Sequence, residues 1–265
     1  IFLGFKAGEE CSGITSNPSV FVGTEAGYAA WGSNGVGIGQ RALYFAANSS
    51  SMIAIGDNSA ANTDDCVELI SIGDATTFGS SGLKNAIIIG KGAGGRASNY
   101  DIGMGYYTLN GGFGNDEVVA LGYQAGKNLN HSQKVIAIGT NAAHAASGCS
   151  SGVFIGNHAG INVSGYSLAS NLIGHAVGGN ASHLPRANVM GASAFHDASG
   201  DYVVGLGNFV GAASSGCDMT LAIGRNAGYN MQKMEQGVFL GYEAGMSASG
   251  MYHNKSASNE FSQND

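Results

Sequence analysis

Proline and charge are both scarce in this chain: 2 prolines in 265 residues, and 11% Asp, Glu, Lys and Arg together. So little proline, with no glycine at every third position, excludes a collagen-like triple helix. Low charge with 45 glycines resembles a disordered composition, but 44% of the residues are hydrophobic, and disordered segments lack that apolar share. No apolar run approaches the ~20 residues that cross a bilayer, so membrane insertion is not expected. Lys and Arg form no cluster and the net charge is −7, which argues against nucleic acid as a partner. The four cysteines, Cys11, Cys66, Cys149 and Cys217, show no CxxC spacing and are too few for a disulfide framework; they read as small buried thiols.

What is present is a repeat. Glycine following an aliphatic residue recurs at 4, 23, 39, 56, 73, 90, 105, 122, 139, 156, 174, 191, 207, 224 and 241, mostly 17 residues apart. Clear copies are Val20-Phe21-Val22-Gly23-Thr24-Glu25-Ala26-Gly27 and Ile136-Ala137-Ile138-Gly139-Thr140-Asn141-Ala142-Ala143. The residue before this anchor glycine is Ile, Leu, Val or Met in every copy. The residue three before it is aliphatic except at Asn171 and Asn188. Positions one and three before the anchor share a face of a strand. The expectation is an all-β solenoid of about fifteen coils of ~17 residues over 1–245, with those two positions forming aliphatic ladders in a narrow core. The small residue three after the anchor is placed in the thin interior. A helix would need a 3.6-residue apolar period and far less glycine.

The position two before the anchor would then face outward. It holds Phe, Gly, Ala, Ile, Leu, Val and one Ser, with no charge. Strands apolar on both faces are buried on both, so self-association about a common axis is expected, three chains being the simplest arrangement. Residues 246–265 are polar and read as a connector. Because the pattern starts in mid-repeat at Ile1, the chain is expected to be part of a longer one carrying further domains.

The run from Ile136 to Ala142 resembles the head repeats of YadA-like trimeric autotransporter adhesins. Val119-Ala120-Leu121-Gly122-Tyr123-Gln124-Ala125-Gly126 is similar to repeats of phage tail fibres and tailspikes. The resemblance spans 1–245 and implies a left-handed parallel β-roll, a homotrimer, and attachment to a cell surface or host receptor. It also implies a place on a virion tail fibre or an extracellular surface. The ~17-residue coil departs from the shorter coil of the bacterial heads and favours the phage-fibre branch.

Candidate chemistry is sparse. Gly111 to Val119 matches one copy of a calcium-binding nonapeptide, but such sites need successive copies. His158 and His175 fall on adjacent coils without an evident third ligand. No cofactor or metal is expected. No nucleophile elbow is present. Asp57 and Asp74 share a phase on adjacent coils, and paired acids ~5–9 Å apart cleave glycosides. A polysaccharide depolymerase with an inter-chain active site is therefore the alternative reading, disfavoured by the near-constant coil length. The better-supported expectation is glycan binding without catalysis. Tyr106, Tyr107, Tyr123 and Gln124 occupy the two positions after the anchor on consecutive coils, an exposed corner suited to stacking on sugar faces. Trp31, with Tyr28 and Tyr44, forms a second candidate aromatic cluster.

Overall fold

The computed structural model describes residues 1–11, 19–95, 99–164 and 167–248. Most of the expected connector therefore lies outside the described residues. Among those described there is no helix, and fifteen short strands form one sheet in chain order, with every neighbouring pair parallel. Val119–Leu121 pairs Val119 with Ile136 and Leu121 with Ile138, so the register advances one 17-residue repeat per rung. At ~4.8 Å per rung the stack is roughly 70 Å long. The fold is a parallel β-solenoid.

The remainder of each coil is mostly turn, with short parallel bridges between some neighbouring coils and left-handed residues at alternate positions. After Gly122, the residues Gln124, Gly126 and Asn128 have φ of 54°, 61° and 55°. Their amides reach alternately backward and forward: Gln124 donates to the Tyr106 carbonyl at 2.8 Å, Gly126 to that of Ala142 at 2.9 Å, and Asn128 to that of Asn110 at 2.9 Å. This backbone favours Gly and Asn, the residues that enter the left-handed region at least cost.

The strand faces are the reverse of the expected ones. Ala120 and Ala137, two before their anchors, are completely buried, whereas Ile136 is 38% and Ile223 36% exposed. The charge-free column two before the anchor points inward, and the aliphatic columns one and three before it point out. The reason is width. The interior is thin, the column two before the anchor faces the column four after it, and in several coils a large residue in one stands against a small one in the other. Phe21 lies against Gly27, and Phe154 against Gly160. Where Gly103 stands in the strand, Leu109 fills the space from the other side. Ser71 and Thr77 form a polar version, their hydroxyls 2.9 Å apart. The small column three after the anchor is buried as expected, including Ala26, Ala125, Ala142 and Ala227.

The anchor glycines are required by a close approach. A Cβ on Gly122, at φ +135°, would stand 2.6 Å from the carbonyl oxygen of Gly139 one coil away. Cys66, Cys149 and Cys217 are buried, and Cys11 is half-buried. Burial pushes the thiols of Cys66 and Cys217 upward in pKa.

Candidate functional site

The corner after the anchor brings four of the five expected residues together. Tyr106 and Tyr123 stack with ring centroids 5.4 Å apart and planes 8° from parallel. Tyr107 meets Tyr106 edge-on at 4.4 Å. The Gln124 amide donates to the Tyr123 hydroxyl at 3.4 Å. Tyr106 and Tyr123 are 41% and 49% exposed, so this stacked two-ring platform is open to solvent. Packing of Tyr106 among its neighbours raises its phenol pKa.

Two cations that the sequence reasoning passed over flank this platform. Lys127 stands over the Tyr107 ring, its ammonium 5.6 Å from the centroid. Lys91, one coil before Tyr106 in the same column, pairs with Asp74 at 3.0 Å. The signal was available, since Lys91 and Tyr106 both immediately follow an anchor glycine. Rings beside ammonium groups and an amide suit a carbohydrate, with apolar sugar faces on the rings and hydroxyls or a carboxylate on the polar groups.

Trp31 is exposed but lies on the second coil, five rungs from Tyr106. The amino-end ring cluster consists of Tyr28, Tyr44 and Phe45. Tyr28 stacks on Tyr44 at 5.4 Å, and Phe45 meets Tyr44 edge-on at 4.6 Å. Trp31 is not in ring contact with them.

The other candidates are accounted for locally. The Asp74 carboxylate is engaged by Lys91, and Asp57 accepts from Asn58 at 2.9 Å. His158 and His175 approach edge-on, with centroids 6.3 Å apart, and the Asn141 amide lies 3.0 Å from His158 Nε2. Among the described residues no three His, Cys, Asp or Glu side chains converge. In the single nonapeptide, Phe113 bridges to Asn130 and Asp116 to Gln133, so the run is part of the coil stack.

The outward sheet face is the other large feature. Its two aliphatic columns continue from Ile1 and Leu3 to Val238 and Leu240, interrupted by Asn171 and Asn188. Met104, Met190, Ile38 and Leu206 are among its exposed members. Compared with known proteins, the chain matches no family model and no curated sequence.

Proposed function

We propose that this chain is the rod of a homotrimeric surface fibre of the phage-tail-fibre or adhesin kind, attaching to host cell-surface polysaccharide. The observation that carries the reading is the outward aliphatic face. Two columns along fifteen rungs make a strip roughly 70 Å by 7 Å, near 500 Å². That is at the top of what a monomer leaves exposed, and parallel sheets ordinarily have both faces covered. Three such strips meeting about an axis cover one another and leave the turn corners, with Tyr106 and Tyr123, on the outside. The arrangement agrees with the left-handed β-roll trimers that the repeat resembles. Attachment then falls to the ringed corners, and the rod sets their spacing from the surface that bears it.

Sedimentation equilibrium of the whole chain tests the assembly, and the expected mass is three times 26.7 kDa. A stable monomer at micromolar concentration removes the trimer. Binding of the same sample to immobilised capsular and lipopolysaccharide oligosaccharides tests attachment, and unchanged oligosaccharide length after incubation excludes the depolymerase alternative.

A further inference from the structure

Across its two outward columns the sheet face is apolar at every position but two. Asn171 and Asn188 stand three before the anchor on consecutive coils, where every other coil carries Ile, Val or Leu. They are partners in the parallel sheet, and the Asn171 amide donates to the Asn188 side-chain oxygen at 2.7 Å. Val153 precedes them in the column and Val204 follows, with Ile173 and Met190 alongside in the column one before the anchor. A carboxamide offers two N–H donors and an acceptor oxygen. The bond between the pair therefore leaves the Asn188 donors and the Asn171 oxygen available to a facing chain.

The remainder of the face says little about alignment. Sliding one strip along another by a rung sets one aliphatic residue against the next and uncovers one strand of fifteen. Burial of apolar area therefore separates neighbouring registers weakly. The carboxamides separate them strongly, because a covered polar group without a partner gives up its bonds to water and gains none. Their place along the rod decides orientation as well. They lie on the eleventh and twelfth of the fifteen strands, so an antiparallel copy in full overlap sets them against Ile70 and Ile53. A parallel copy shifted by one rung leaves one asparagine on each chain facing an aliphatic residue. Parallel copies at zero shift bring all the carboxamides to the same two rungs.

We infer that Asn171 and Asn188 set the alignment of the assembled chains: identical copies, parallel and at zero shift, whose asparagines form one polar layer inside an otherwise apolar interface. The inference rests on the trimer reading of this face and adds to it the residues that decide which chains associate and in what register. A lone polar layer in the apolar seam of a coiled coil fixes register in the same way, at some cost in stability.

The test moves the layer. In the relocated chain, Asn171→Val and Asn188→Val return the face to its prevailing residue type. Ile53→Asn and Ile70→Asn, which are partners in the sheet, place an asparagine pair on the fourth and fifth strands. A tagged native chain is co-expressed with the untagged relocated chain and, as a control, with an untagged native chain. The expected result is that the tag recovers at least about tenfold less relocated chain than native chain. Recovery of more relocated than native chain reports antiparallel alignment, in which the two pairs face each other, and overturns the inference. Equal recovery also overturns it and leaves the trimer standing. Should the relocated chain lack β-sheet circular dichroism, the chain carrying only Asn171→Val and Asn188→Val takes its place. Mixed particles then strand the native carboxamides, so the same sorting is expected and equal recovery again overturns the inference. A native chain that sediments as a monomer overturns the trimer and the alignment together.

Discussion

The ring of Phe154 occupies the space in which a side chain on Gly160 would stand: a Cβ built on Gly160 falls against the Phe154 ring carbons. Leu109 and Gly103 realise the same contact with the sizes exchanged. Phe154→Ala is expected to cost about 3–5 kcal/mol, because a thin interior cannot collapse onto the void. Phe154→Gly combined with Gly160→Leu recreates the arrangement of Gly103 and Leu109 and is expected to recover a large part of that loss. A denaturation double-mutant cycle measures the coupling, and additive effects at the two positions exclude the compensation.

The anchor glycines differ from glycines that serve only a turn. Gly122→Ala is expected to cost about 3 kcal/mol or more, since left-handed strain is joined by a clash with a neighbouring backbone. Gly82, at φ 71°, has nothing within 4 Å of a built Cβ. Gly82→Ala is expected to cost about 1 kcal/mol from conformation alone. Equal shifts of the denaturation midpoint contradict the close approach at the anchor.

Strand phase is tested by adjacent residues. Ala137→Asp places a charge in the closed interior and is expected to prevent folding. Ile138→Asp points out of the sheet, so it is expected to keep the β-sheet circular dichroism while lowering the sedimenting mass. The opposite pattern restores the reverse phase.

The paired tyrosines are addressed by Tyr106→Ala together with Tyr123→Ala. The expected outcome is weaker glycan binding, by about 1–3 kcal/mol for two lost hydrogen-bonding and stacking partners, with little change in melting temperature. Lost trimer stability with unchanged affinity per folded particle places these rings in an interface between chains.

Alkaline pH acts on the buried thiols. Cys66 and Cys217 have pKa values raised by burial, so the folded state holds their protons more tightly than the unfolded chain. Their contribution is complete below the unfolded thiol pKa, ~8.5, and is lost as pH rises through the raised folded values. Stability is expected to fall above about pH 8.5, and Cys66→Ala with Cys217→Ala to flatten that decline. An unchanged slope in the variant assigns the alkaline loss to other groups.

The repeat, its register and the absence of helices were legible because fifteen anchors fix the coil length. The direction of the strand faces was not. Alternation states that Ile136 and Ile138 share a face; it does not say which face, and the more hydrophobic column was taken for the core. The informative signal was size compensation across the coil, as in Phe21 with Gly27 and Gly37 with Leu43. The Tyr106 platform was legible from its phase.

The anchor amides carry a mechanical consequence. Gly122 donates to the Met104 carbonyl at 2.9 Å, Gly139 to that of Leu121 at 2.8 Å, and Gly156 to that of Ile138 at 2.8 Å. Such bonds lie along the direction in which the coils stack. Tension applied along that direction is shared by all the bonds between two coils at once, so they must rupture together. A sideways pull at either end meets them in succession and unwinds the rod coil by coil. A stack built this way resists a pull spread across the whole coil more than one applied at a single edge.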